Sequence, residues 1–133
     1  MPDPQGTHLT ADLAGCAPTH PWMSDASALR EACLQAVSDV GLQAVGERFH
    51  AFAPADGHEQ AGVTGVVLLA ESHLAVHTWP ERGVVTLDVF VCNLLGDNAR
   101  AAQGLLDTLV QGFAPQRQSR QAIRRVIPEA AST

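Results

Sequence analysis

Six short runs of strand character, set against only two stretches of helical spacing, are the strongest limit on what this chain can fold into. The runs are His8 to Leu13, Leu42 to Phe52, Val63 to Ala70, His73 to Thr78, Val84 to Val91 and Arg120 to Ile127. In the first helical stretch Leu29, Ala32, Cys33, Ala36, Val37 and Val40 recur three and four residues apart, with Ser24 or Asp25 as N-cap and Gly41 as a stop. The second begins near Asp97, carries Ala102, Leu105, Leu106, Leu109, Val110 and Phe113 on one face, and is closed by Pro115. Each helix has a single apolar stripe to bury. The pattern predicts an α+β, two-layer sandwich, a mainly antiparallel sheet with two helices packed on one face. Pro54 to Gly62 reads as a loop joining adjacent strands, and Met1 to Gly6 and Pro128 to Thr133 read as untethered termini.

With 133 residues there is room for one compact domain. The formal net charge of -6 argues against nucleic acid or an anionic membrane as partner, because both are bound through clustered cations. A small cationic substrate fits that charge. Cys16, Cys33 and Cys92 show neither disulfide pairing nor metal-ligand spacing, which fits reduced thiols in the cytoplasm. The longest apolar stretch, Val66 to Ala70, is far too short to span a bilayer.

Chemistry concentrates in Glu71 to Glu81, Glu-Ser-His-Leu-Ala-Val-His-Thr-Trp-Pro-Glu, which packs one hydroxyl nucleophile, two imidazoles and two carboxylates into eleven residues. His73 and His77 are four apart, a ligand spacing on a helix, but the Val-rich flanks favour a strand, so no metal is expected. A hydrolase serine would sit in Gly-x-Ser-x-Gly on a strand-to-helix elbow, whereas Ser72 lies between Glu71 and His73.

The run Gly65 to Glu81, continued by Leu87-Asp88-Val89-Phe90-Val91-Cys92, is similar to the signature of bacterial and archaeal S-adenosylmethionine decarboxylases. The similarity extends to Gly6-x-His8-Leu9 and to Phe49-His50-x-Phe52. That resemblance implies a single domain that cuts itself between Glu71 and Ser72: Ser72 Oγ attacks the Glu71 carbonyl, an ester replaces the peptide bond, and elimination with hydrolysis leaves a pyruvoyl group at the new amino terminus. This covalent cofactor, derived from Ser72, would form a Schiff base with the substrate amine and accept the electrons released with carbon dioxide. The sequence contains no lysine, so a pyridoxal phosphate held through a lysine Schiff base is excluded by composition.

Position by position, the resemblance gives His77 the role of base in processing and Thr64, where the family usually has serine, a hydroxyl that assists it. Cys92 matches the proton donor to the decarboxylated carbon, Glu81 the ribose-binding carboxylate and Phe52 the ring that stacks on adenine. Trp79 is either a neighbour of that ring or core. Cys33 falls on the apolar helix face and reads as core. Alternation along a continuous strand sends Ser72 and His77 to opposite faces, so a bend, a bulge or a site at a strand end is expected if both serve one reaction.

The expected activity is decarboxylation of S-adenosylmethionine in spermidine biosynthesis by a homodimer of processed chains. Ornithine or arginine is the alternative substrate, since some members resembling the family act on them and the loop carries Asp56 and Glu59. A non-enzymatic regulatory subunit is the remaining reading, against which the intact Ser72, His77 and Cys92 count.

Overall fold

The computed structural model describes residues 6–93, 97–126 and 128. In chain order they form β1 (Gly6–Ala14), α1 (Pro21–Ser24), α2 (Ala26–Asp39), β2 (Ala44–Ala51), β3 (Val63–Leu69), β4 (Ser72–Trp79), β5 (Val84–Cys92), α3 (Ala99–Phe113) and β6 (Arg117–Arg125). The strands make one sheet in the order β2-β3-β4-β5-β1-β6, and every neighbouring pair runs antiparallel. The expected α+β sandwich is the fold observed.

Local chemistry explains where the elements begin and end. Asp25 is the N-cap of α2, its carboxylate accepting from the backbone N–H groups of Ser27 and Ala28 at 3.0 and 3.1 Å. Gly41, at φ +80°, turns the chain out of the helix. α3 starts at Ala99 rather than Asp97, with the Asp97 carboxylate accepting from Ala99 N–H at 3.0 Å. It ends at Ala114, which holds a left-handed φ of 50° just before Pro115. A third helix, the single turn α1, was not expected; His20 caps it by accepting from Trp22 N–H through Nδ1 at 3.0 Å.

The helices share one face of the sheet. Leu29, Cys33 and Val37 of α2 and Leu105, Leu106, Leu109 and Phe113 of α3 pack with Leu9, Ala11, Leu13, Val67, Leu74, Val76, Val85, Leu87 and Val89 in one buried cluster. Burial pushes the Cys33 thiol up to about 12, so it stays protonated and serves as core, as expected. Strand alternation sends the other residues to the opposite face, where Thr64, His77 and Thr86 lie side by side across three strands, as do His73, Phe90 and His8. That second face has no helix on it among the described residues.

Strand limits shift slightly from expectation. Gly6 belongs to β1 rather than to a frayed terminus, and β6 begins at Arg117 instead of Arg120. Ile127, Met1 to Gln5 and Glu129 to Thr133 lie outside the described residues. The loop from Pro54 to Gly62 connects β2 to β3, which are neighbours in the sheet as predicted.

Candidate active site

The residues singled out in the sequence gather at two places, one at each end of β4. At its first residue, Ser72 follows the two-residue connection Ala70-Glu71 that turns β3 back into β4. The Glu71–Ser72 peptide therefore sits at the tip of a hairpin whose strands are held by the register Leu69↔Ser72 through Thr64↔His77. A break there leaves the β3–β4 ladder in place. Cys92 closes β5 alongside, and its backbone N–H donates to Ser72 Oγ at 2.7 Å, fixing the hydroxyl. The Cys92 carbonyl in turn accepts from Asn98 Nδ2 at 2.9 Å, and Asn98 N–H donates to Asn93 Oδ1 at 2.8 Å, tying this end to the start of α3. A shallow hollow of ≈ 180 Å³ is bordered here by Leu42, Gln43, Glu71, Ser72, Val91 and Asn98.

At the other end of β4 a larger cleft of ≈ 390 Å³ opens, and Phe52, Thr64, His77, Trp79 and Glu81 all line it. His77 Nδ1 and Thr64 Oγ1 share a hydrogen bond of 3.1 Å, so the ring is oriented and Nε2 remains for other chemistry. The ring of Trp79 lies 6.2 Å from that of His77. Phe52 and Trp79 are 53% and 38% exposed, so Trp79 is cleft wall rather than core. Both rings offer flat apolar surface to a ligand.

β4 is continuous, and its pairings with β3 and β5 carry no register irregularity. Neither the bend nor the bulge is there. Five residues at about 3.3 Å each put Ser72 and His77 about 17 Å apart along the strand, on opposite faces. The structure thus brings Ser72 together with Cys92 and Glu71, and Thr64 together with His77, Phe52, Trp79 and Glu81, but keeps the two groups apart within one chain.

Sequence reasoning passed over three contributors. Thr78 is the one buried polar residue among those described; its hydroxyl donates to the Met23 carbonyl at 2.7 Å and accepts from Val63 N–H at 2.8 Å, bolting α1 and β3 beneath the cleft. Gly62 presses on the same point: a Cβ there would lie 1.9 Å from the Thr78 carbonyl oxygen. Both belong to stretches already noted for other reasons, but only the fold gives them a partner. His58, from the loop, is the third residue missed and lines the cleft. Among the described residues no cluster of three or more His, Cys, Asp or Glu is arranged to hold a metal.

Comparison with known proteins decides the lineage. Residues 7–126 match the sequence profile of the family described as S-adenosylmethionine decarboxylase. The chain belongs to that family. Its relatives include the S-adenosylmethionine decarboxylase proenzyme of Pyrococcus horikoshii, 36% identical over 98% of this chain and 86% of that one, and its namesake from Aquifex aeolicus, 35% identical over 96% and 85%. The crystal structure of the Aquifex aeolicus adenosylmethionine decarboxylase superposes with a TM-score of 0.81 at 32% identity, covering 99% of both chains. A Trypanosoma brucei AdoMetDC monomer shares the fold alone, with a TM-score of 0.56 at 18% identity over 86% of this chain and 44% of that one.

Proposed function

We propose that this chain is the precursor of a pyruvoyl-dependent S-adenosylmethionine decarboxylase of spermidine biosynthesis, which cuts itself between Glu71 and Ser72. The observation that carries the reading is the Glu71–Ser72 bond at the tip of the β3–β4 hairpin, with Ser72 Oγ fixed by Cys92 N–H, in a chain that belongs to this family. Ser72 is chemically suited to be the source of the cofactor, because its hydroxyl adjoins the scissile carbonyl and cutting there spares the sheet. Once formed, the pyruvoyl group supplies an electron sink for loss of carbon dioxide.

The chain's own residues do the rest. His77, oriented by Thr64, removes the Ser72 α-proton during processing; Cys92 returns a proton to the substrate carbon; Glu81 accepts from the ribose hydroxyls; and Phe52, with Trp79 nearby, supports the adenine ring. Since Ser72 and His77 are about 17 Å apart in one protomer, the working unit is a twofold dimer in which the partner's His77 serves Ser72. The helix-free sheet face supports this arrangement. It carries His77 and Thr64 and leaves Leu68 half exposed, surface that a second copy would cover. The three buried, unpaired thiols suit a reducing cytoplasm.

S-adenosylmethionine is favoured over ornithine or arginine by the cleft's lining. Two partly exposed rings and a single carboxylate, Glu81, suit a nucleoside better than a long dication. Asp56 does not line the cleft, and Glu59 borders a neighbouring depression instead. The test is side-by-side carbon dioxide release from S-adenosylmethionine, ornithine and arginine by purified protein whose mass spectrum is recorded. Two fragments, Met1 to Glu71 and residues 72–133, with release from S-adenosylmethionine, are expected. An uncut chain near 14.0 kDa that releases nothing would return the protein to a regulatory role.

A further inference from the structure

The loop between β2 and β3 supplies more than half of the cleft's lining positions, and its chemistry is lopsided. Ala53, Ala55 and Ala61 offer only methyl groups, and the Gln60 amide is turned to Ser24 Oγ at 3.5 Å. His58 is the remaining polar side chain that the loop brings to the cleft, and no hydrogen bond, ion pair or ring contact engages it among the described residues. The loop holds itself in shape through its backbone, with Phe52 N–H donating to the Gly62 carbonyl and His58 N–H to the Ala55 carbonyl, each at 3.0 Å. Gly57, at φ +85°, makes the turn that delivers His58. The imidazole is thus presented by a pinned loop without being needed to hold that loop together.

We infer that His58 is a specificity-determining residue, its ring edge hydrogen-bonding the in-plane nitrogens of a purine stacked on Phe52. This rests on the adenosyl reading above and sharpens it. A base lying against an aromatic face keeps its hydrogen-bonding groups in its own plane, so it needs a partner on the surrounding wall. Trp79 has only an indole N–H to donate, Glu81 is assigned to the ribose, and His77, held through Nδ1 by Thr64 at 3.1 Å, has its remaining Nε2 assigned to processing. An imidazole can both donate and accept, which matches a purine edge. It adds no negative charge, so it offers an aliphatic ammonium or guanidinium no ion pair.

The test uses the purified, self-processed protein and 5′-deoxy-5′-methylthioadenosine, which keeps base and ribose but has no α-amine and so binds without engaging the cofactor. Calorimetric titration of His58→Ala is expected to show Kd raised about fivefold, the worth of one neutral hydrogen bond. His58→Asn, which keeps a donor and an acceptor, is expected to return Kd to within about twofold of the parent. In turnover of S-adenosylmethionine, His58→Ala should raise KM with kcat and the extent of self-cleavage unchanged. If the parent protein binds the nucleoside and His58→Ala binds it equally, the inference falls while the adenosyl reading stands. A loss in kcat at constant KM also overturns it. If the parent binds no nucleoside and releases carbon dioxide from ornithine, both fall together.

Discussion

The Ser72 end of β4 is built from backbone, whereas the His77 end is built from side chains. At the first, a peptide N–H fixes the serine hydroxyl, the Glu71–Ser72 bond lies at a two-residue turn, and Asn98 ties the neighbouring strand end to α3. At the second, a shared hydrogen bond orients an imidazole, two aromatic rings stay partly exposed, and a loop forms most of the wall. The difference tracks what the proposed function asks of each end. A bond that is to be broken once, without loss of the fold, belongs where the sheet loses nothing. A surface that must receive and release small molecules belongs where side chains and a loop can meet a ligand. Neither end holds all the residues that the proposed reaction needs, which is why the proposal includes a second protomer.

Substitutions separate the two ends, and the largest effect is expected at Ser72. Ser72→Ala should abolish both cleavage and turnover while far-ultraviolet circular dichroism stays that of the parent; two fragments in the mass spectrum of this variant would refute the cofactor's origin. At the opposite end, His77→Ala should slow self-cleavage on the order of 100-fold or more, the usual contribution of a positioned base. Its measure is the time course of fragment formation. Cys92→Ala belongs with Ser72 in space but should differ in effect, permitting cleavage and cutting turnover. Normal turnover in that variant, with the pyruvoyl group present, would make Cys92 a packing residue.

Smaller effects test the frame around each end. Gly62→Ala forces a Cβ against the Thr78 carbonyl, a backbone atom that cannot swing away, and should cost about 1–3 kcal/mol in denaturant unfolding of the uncleaved Ser72→Ala background. The weakest expected change lies at the sheet's far edge, where the Arg120 guanidinium hydrogen-bonds Asp107 of α3 and holds its carboxyl below the ordinary carboxylate range. A carboxyl depressed in the folded state stabilises above its unfolded value, about 3.9, and that contribution disappears as pH falls through the folded value. The pair is half exposed, so Asp107→Asn should lower stability at pH 7 by under about 1 kcal/mol and have no effect in strong acid. An equal loss at both pH values would mean that packing, not charge, is at stake.

Much of the fold could be read wherever a local rule had a local partner. Asp25 caps α2, Gly41 ends it, and Pro115 follows the end of α3 because caps and stops act within a few residues. α1 escaped because four residues carry no period, and its cap is a histidine rather than a serine or aspartate. The start of β6 was misjudged because all nine of its residues are exposed, so no apolar alternation marks it. In the site, Glu71 to Glu81 announced itself through its density of reactive groups, and counting five residues already put Ser72 and His77 on opposite faces. The chain does not state what resolves that opposition, because the proposed solution, a second copy, is a matter of assembly that no local pattern encodes. Thr78 and His58 were missed because their settings are tertiary: the partners of Thr78 are Met23 and Val63, remote in sequence, and His58 meets the cleft only once the loop is folded over it.

A mixed dimer tests most directly whether the two ends of β4 meet across a twofold. Ser72→Ala and His77→Ala chains, separately tagged, would be co-expressed, the heterodimer purified through both tags, and each chain weighed intact. A composite site retains one competent pair, Ser72 of the His77→Ala chain served by the partner's His77. The account predicts that the His77→Ala chain is cut after Glu71 in the heterodimer on a time scale over which it stays largely whole in its own, slowed homodimer. A stable heterodimer in which both chains remain uncut would contradict it.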